Sequence, residues 1–535
     1  MALPKVVTMD KELNDLKGYI GYNDKDIYGI EVDIPNNKIT RLAGAVGKTA
    51  GADFDNINAY KRRRCIMTDD RTVLAYYGET GYIETGALDI EIIKNGVTYP
   101  IGTHVQVMVE QPKFYYKRVP LVLEPILYNE INTIEITAGA TSDGDITITL
   151  DEKPFVVAIT SADNTPELVA TKIRNALFDG WTTSRTVASV VFTCNTTGAK
   201  VTATFNGGDT GVTATVEKTQ SGISKGFHLR KWRDYISDYP KNGFSIHPNF
   251  IRNGVVYEYI YYPAYEGSIF DVSENAYLLA DEQIADFNND KLSSIANAKP
   301  ASGLSQNLTI VNTRKLANNR GEGWQQLDIV AHYAEVMLMS IEYATFDFQT
   351  AIGLGVVNKS SSDANHSELT GQTSFLGNNS GMAVGTNGLV SITYRGRENP
   401  WGNIWKWNDG LNIECKGIHE VYWSNYGFVS DIKTEPYKNC GFTLSKSNGY
   451  ISAIGYSEEC DFMYIPSETL GASNKPLNDY FYQNANHIGF LVARLGGNWN
   501  YGSHAGACCL RTSSSSGSRN RDVGGGLLCV PKQAV

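Results

Sequence analysis

The densest run of residues able to make directional contacts lies near the C-terminus of this 535-residue chain. Gly496-Gly-Asn-Trp-Asn-Tyr-Gly-Ser-His-Ala-Gly-Ala-Cys-Cys-Leu-Arg511 leads into a Ser/Arg/Asn run from Thr512 to Arg521, then into Gly524-Gly-Gly-Leu-Leu-Cys-Val530. A frame of Gly, Trp and Ala brackets positions filled by Asn, Tyr, Ser, His and Arg. Those types combine a large amphipathic contact area with adaptable hydrogen bonding, which is the chemistry of a binding loop. The other reading of the same composition is a flexible polar loop between two strands. Catalytic strings are scarce. Gly222-Ile-Ser-Lys-Gly226 matches GxSxG, but a nucleophile elbow needs a strand before it and a helix after it, and this string reads as a linker. No Walker loop, GxGxxG or HExxH occurs. His419-Glu420 lacks a second His, and the eight His are scattered without ligand spacing.

The elements that must position these residues are first bounded by composition. The length suggests two to four domains or one elaborated one. A formal net charge of −10 argues against a phosphate-neutralising surface, so nucleic acid is not an expected partner. With 19 % charged residues, 51 Gly and 31 Tyr, the chain reads as folded, loop-rich and Tyr-rich. No secretory h-region is readable in the first 18 residues, and no apolar window is long enough to span a membrane, so membrane insertion is not expected. The eight cysteines (Cys65, Cys194, Cys415, Cys440, Cys460, Cys508, Cys509 and Cys529) show no CxxC pair and read as buried thiols of a protein made in a reducing cytosol.

From Thr133 to Gly222 there is no Tyr. That stretch carries alternating segments such as Asp145-Ile-Thr-Ile-Thr-Leu150, Ser189-Val-Val-Phe-Thr-Cys194 and Gly211-Val-Thr-Ala-Thr-Val216, which predict half-buried strands. One helix is expected among them, capped by Thr165, started by Pro166, with Val169, Ile173 and Leu177 on one face and Gly180 at its end. The flanks resemble each other in their aromatic segments, among them Val105 to Glu110, Lys113 to Lys117, Gly226 to Trp232 and Val256 to Tyr262. The reading is a Tyr/Trp-rich domain interrupted at a surface loop. Residues 1–18 form an arm, 19–130 the first part of the domain, 131–222 the inserted β-rich module, and 223–535 the remainder with its C-terminal loops. One strong helix is predicted from Trp324, with Leu327, Ala331, Ala334, Leu338 and Ile341 on its apolar face. Beyond Ala344 the Gly-, Asn- and Ser-punctuated segments predict little helix, and the fold class is α+β.

The frame GGNW…AGA…GGGLLCV resembles the C-terminal signature of C-type-lectin-fold proteins that include variable proteins of diversity-generating retroelements and the formylglycine-generating (sulfatase-modifying) enzymes. Further pieces resemble phage tail and receptor-binding proteins with that fold: Arg63-Arg-Cys65 with Leu74 to Tyr82, Met108 to Lys117, His247 to Gly254, Gly321 to Asp328 with its helix, and Asn399 to Gly410. Thr141 to Ile148 and Thr197 to Lys200 are similar to an Ig-like module inserted in phage structural proteins. The resemblance implies a C-type-lectin-like (sulfatase-modifying-factor-like) domain interrupted by an all-β, Ig-like sandwich.

The function it implies is adhesion by a virion protein at the tail tip or baseplate. The expected partners are a bacterial surface receptor (polysaccharide, teichoic acid or protein) and other phage tail proteins, with a homotrimer as the expected form. A purely structural virion component is the alternative. Carried over position by position, the ligand surface comprises Asn498, Asn500, Tyr501, Ser503, His504, Arg511, Ser513, Ser515, Arg519, Asn520 and Arg521, with Trp499 and the glycines as scaffold. No cofactor is implied. Glu398-Asn399-Pro400 and Trp407-Asn408-Asp409 resemble the calcium motifs of C-type lectins, but the first triplet is permuted and the spacing is short; Trp401, Trp405 and Trp407 read otherwise as core aromatics. Formylglycine-generating enzymes place two catalytic cysteines a few residues apart. Here Cys508 and Cys509 are adjacent, and a strand would point them to opposite faces, so no enzymatic activity is expected. Nor does any linear motif supply the paired carboxylates of a glycosidase.

Overall fold

The computed structural model describes residues 24–223, 226–279, 285–303, 307–360 and 367–533. The expected arm, and Ser224 and Lys225 of the GxSxG string, lie outside these residues. Strand makes up 41 % and helix 11 %, so within the α+β expectation the chain is mostly β-sheet. The Gly, Asn and Ser punctuation cuts the aromatic segments into short strands, and the helices are few.

Three large sheets surround one buried helix. The first has the strand order Ser245–Ile246, Tyr115–Pro125, Phe227–Ser237, Ile27–Asp33, Lys38–Ala43, with Ala453–Tyr456 also paired to Phe227–Ser237. The second runs Trp324–Gln326, Leu527–Cys529, Tyr259–Pro263, Gln106–Pro112, Arg63–Met67, Val73–Tyr76. The third runs Lys438–Thr443, Ile418–Trp423, Trp405–Lys416, Gly489–Gly496, Gly506–Ser514, Tyr480–Gln483, Gly449–Tyr450, with Val523–Gly524 parallel to Trp405–Lys416.

The helix Ile329–Tyr343 is buried on every side through Glu342. It begins later than its apolar spacing predicts. Trp324–Gln326 is a strand paired with Leu527–Cys529, and the helix starts where Asp328 Oδ1 accepts the N–H groups of Val330 and Ala331. Its buried carboxylates are matched: Glu335 accepts Arg62 Nη1 at 2.6 Å and also Arg397, while Glu342 accepts Arg395 Nη2 at 2.7 Å. A second helix, Ile310–Asn318, capped by Thr309, escapes the sequence pattern. Only Ile310, Thr313, Leu316 and Ala317 of its residues are buried, too narrow a stripe to stand out.

Residues 129–220 form two antiparallel sheets. One holds Lys153–Ile159, Gly144–Leu150 and Thr204–Asn206; the other holds Trp181–Thr186, Ser189–Thr197, Asn129–Ala138 and Thr213–Gln220. They share a hydrophobic cluster of their own, including Ile134, Ile146, Ile148, Val169, Ile173, Val190 and Phe192. The helix Pro166–Asn175 is capped by Thr165, as its sequence predicts, but it ends earlier. Ala176 is extended, so Leu177 leaves the apolar face and is 89 % exposed. The strands flanking this stretch, Tyr115–Pro125 and Phe227–Ser237, pair with each other from Ser237↔Tyr115 to Phe227↔Pro125. The chain therefore leaves the first sheet and returns to it at neighbouring points.

A candidate ligand-binding face on the C-terminal sheet

The register of the third sheet places four side chains in one row across four strands. Trp407 is opposite Arg494, Arg494 opposite Arg511, and Arg511 beside Tyr482. Cross-strand partners project to the same face, and the rings confirm it: the Arg494 guanidinium lies 5.4 Å from the Trp405 ring and 5.9 Å from Trp407, and that of Arg511 lies 5.5 Å from Tyr482. These are cation–π distances. Tyr480, two residues before Tyr482, shares its face, because Tyr480–Gln483 alternates half-buried and buried positions.

The turn Gly502–His504 folds over this row. Tyr501 packs edge-on against Trp405 at 4.9 Å and against Tyr482 at 5.4 Å, and its hydroxyl accepts from Arg511 Nη1 at 2.6 Å. Burial raises the Tyr501 phenol pKa, so that hydroxyl keeps its proton as a further donor. His504 stacks on Tyr480 at 4.3 Å with rings 17° apart and meets Tyr450 edge-on at 5.6 Å. Its Nδ1 is 2.7 Å from the Tyr482 hydroxyl. Burial lowers the imidazole pKa, which favours the neutral ring accepting the Tyr482 proton. Arg511 Nε donates to Ser513 Oγ at 2.8 Å. The outcome is a half-exposed ledge of aromatic rings and one guanidinium, with Tyr480, Tyr482 and Arg511 held on strands and Tyr501 and His504 on the turn that covers them.

Of the residues singled out in the sequence, Tyr501, His504, Arg511 and Ser513 meet on this ledge. Asn500 and Ser503 are exposed beside it. Ser515, Arg519, Asn520 and Arg521 are exposed on the following loop, where the Ser515 and Ser518 hydroxyls are 3.2 Å apart. Asn498 is corrected: it is 4 % exposed, and its Nδ2 donates to Asp522 Oδ2 at 2.6 Å, so it ties the loop down instead of facing a ligand. Trp499 is buried with Val356 and Ile404. Tyr450, Tyr480, Tyr482 and Arg494 were not singled out. The Tyr-Phe-Tyr alternation at 480–482 and an arginine inside Leu491-Val-Ala-Arg-Leu495 are the signals that point to three of them.

All eight cysteines are buried and reduced. Cys508 packs in the main core and Cys509 in the separate cluster of Trp405, Trp407 and Val492, so adjacent thiols do face opposite sides. Burial raises both thiol pKa values well above the ordinary range, with Asp479 adding to the shift. Among the described residues, no three His, Cys, Asp or Glu are grouped to hold a metal ion. The carboxylates of the lectin-like triplets are already engaged. Asp409 accepts Arg314 Nε at 2.8 Å and Nη2 at 2.5 Å. Glu398 accepts from Gly371 N, Thr373 N and Thr373 Oγ1 at 2.7–2.9 Å, and burial pushes its pKa up to about 7. Trp401, Trp405 and Trp407 are fully buried.

No family model and no curated protein matches the chain. Among solved structures, it is similar to the Major Tropism Determinant U1 variant, at 13 % identity over 94 % of this chain and 93 % of that one, with a TM-score of 0.24. The I1 variant of that determinant gives the same values. The flagellar cap protein FliD from Bdellovibrio bacteriovorus is similar over 25 % of this chain and 90 % of its own, at 14 % identity and a TM-score of 0.15.

Proposed function

We propose that this chain is a phage virion adhesin that binds the host bacterial surface, without catalysis, through the face built on Tyr480, Tyr482, Tyr501, His504 and Arg511. The carrying observation is the ledge itself. Its rings are half-exposed yet locked by ring contacts and by the Arg511–Tyr501 and His504–Tyr482 hydrogen bonds, so little side-chain freedom is lost when a ligand docks. Flat aromatic faces with hydroxyl, imidazole and guanidinium edges suit the faces and hydroxyls of a surface glycan. The resemblance of the GGNW…AGA…GGGLLCV frame to C-type-lectin-fold binding proteins supports the same location, the C-type-lectin-like and Ig-like assignments, and a place at the tail tip or baseplate. Several copies, as in a homotrimer, turn weak single-site contacts into avidity gains of roughly 10²–10⁴.

The test is binding of the fluorescently labelled full chain to a panel of bacterial strains, beside a Tyr480→Ala, Tyr501→Ala, His504→Ala triple variant whose fold is checked by circular dichroism. Strain-selective binding that falls at least tenfold in the variant supports the reading. Undiminished binding moves the receptor site elsewhere. Absence of binding to every strain, even with the chain clustered on beads, favours a structural virion component.

A further inference from the structure

Between Asp479 and Asp522 the chain carries four arginines and no acidic residue, against a net charge of −10 for the whole. Two of those arginines, Arg494 and Arg511, are register partners on adjacent strands. Arg494 is 8 % exposed, and its Nε is buried without a hydrogen-bond partner among the described residues, as are Trp405 Nε1 and Asp522 Oδ1 nearby. No carboxylate of the described residues reaches ion-pairing distance of Arg494 or Arg511. Among the described residues, the hydrogen-bond partners of the Arg511 side chain are the neutral Tyr501 and Ser513 hydroxyls, and its guanidinium also lies against the Tyr482 ring. Asp522 attracts Arg494 from beyond ion-pairing range, and its Oδ2 is engaged by Asn498.

A buried guanidinium without a counter-ion is costly, and the indole faces of Trp405 and Trp407 offset only part of that cost. Elsewhere the protein neutralises its buried arginines: Arg62 and Arg397 share Glu335, Arg118 has Asp234, Arg252 has Asp328 and Arg395 has Glu342. Even the open cavity beside Arg63, Arg71 and Lys532 has a carboxylate for each cation, namely Glu110, Glu322 and Asp70. Among the described residues, the Arg494–Arg511 pair departs from this pattern. Burial and the charge of Arg511 push the Arg494 pKa down to about 10, which still leaves both side chains cationic at neutral pH.

We infer that Arg494 and Arg511 form an anion subsite within the aromatic face, so that its ligand is an anionic glycan whose phosphate or carboxylate group sits on the two guanidiniums while its sugar rings lie on Tyr480, Tyr482 and His504. This rests on the adhesion reading above and names the ligand class it implies. Guanidinium donors suit tetrahedral phosphate and planar carboxylate alike, so the two sources must be separated by experiment.

Full-length protein is titrated calorimetrically with poly(glycerol phosphate), polygalacturonate and neutral dextran. The wild type is compared with Arg494→Met, Arg511→Gln and the double variant, and with Lys532→Gln as a control in the paired cavity. The expected result is binding of one or both anionic polymers and not of dextran, weakening with added salt. Each arginine variant should lose about tenfold in affinity, the size of one charge-assisted hydrogen bond, and Lys532→Gln should lose none. Preference for phosphate over uronate, or the reverse, identifies the anion. The salt dependence of the wild type stands even if a variant fails to fold. Equal binding by wild type and double variant, or binding of dextran as tight as that of either polyanion, overturns the inference. Cell binding separates the two levels. Loss in the aromatic triple variant but not in the arginine pair leaves adhesion standing and removes the anion subsite; indifference to both removes the adhesion site itself.

Discussion

Arg494 and Arg511 stand opposite each other on neighbouring antiparallel strands, two like charges in register with aromatic rings on either side. Directly opposed like charges destabilise a sheet, and on the proposed binding face such an arrangement is the pattern expected where stability has been exchanged for binding.

The stability of an Arg494→Met variant follows from that arrangement. Methionine keeps contact with Trp405 and Trp407 and removes an uncompensated buried charge. The expected result is an unfolding free energy raised by about 1 kcal/mol in urea titration. A loss larger than about 1 kcal/mol would mean that the two indoles more than compensate the guanidinium.

His332 should make the fold acid-sensitive before most carboxylates titrate. It is fully buried on the central helix, with Nε2 2.7 Å from the Ala507 carbonyl. Burial, with Arg397 adding to it, pushes its pKa down to about 4, against about 6.5 when unfolded. Below pH 6.5 the unfolded chain takes a proton that the folded chain refuses, so stability present above that pH is lost as pH falls towards 4. Between pH 6.5 and 5 this costs about 1.6 kcal/mol. Urea titrations of wild type and His332→Gln at both pH values check it: the wild type should lose about that much more than the variant.

The stretch 129–220 should be removable. Its flanking strands pair up to Phe227↔Pro125, so a short Gly/Ser turn from Leu127 to Gly226 closes a hairpin already in register, and loop length itself changes the free energy little. The shortened chain is expected to unfold in one cooperative step with undiminished cell binding. An insoluble or molten product would show that the main core depends on the removed sheets.

Thiol chemistry provides a further check. With every cysteine buried, the native protein should react with none of its eight thiols on the timescale of a few minutes with a disulfide exchange reagent, and with all of them in guanidinium chloride. Rapid native reaction at Cys508 or Cys509, located by peptide mapping, would contradict the packing of that strand and reopen a redox role for the pair.

Much of the local structure is legible in the sequence because its causes are local. The alternation in Asp145 to Leu150 becomes a strand with Ile146, Ile148 and Leu150 buried, and Thr165-Pro166 starts its helix. Where a boundary depends on a distant partner, the pattern misleads. Trp324 continues the helical spacing of Leu327 and Ala331 but is taken into a sheet by Cys529, and Leu177 continues the face of Ile173 but lies past an extended Ala176.

The same division holds for the candidate site. Tyr501, His504, Arg511 and Ser513 are visible from composition because they fall within one Gly-framed stretch, and the opposite facing of Cys508 and Cys509 follows from strand geometry alone. Tyr450, Tyr480, Tyr482 and Arg494 come from other strands, and Asn498, identical in type to its exposed neighbour Asn500, is turned inward by Asp522. Strand order and register bring these residues together, and both are fixed by the packing of whole sheets against the buried helix, a property that no single segment carries. Residue chemistry and strand periodicity were thus written in the chain; which arginine meets which ring, and which carries no counter-charge, was decided only when the sheets closed on one another.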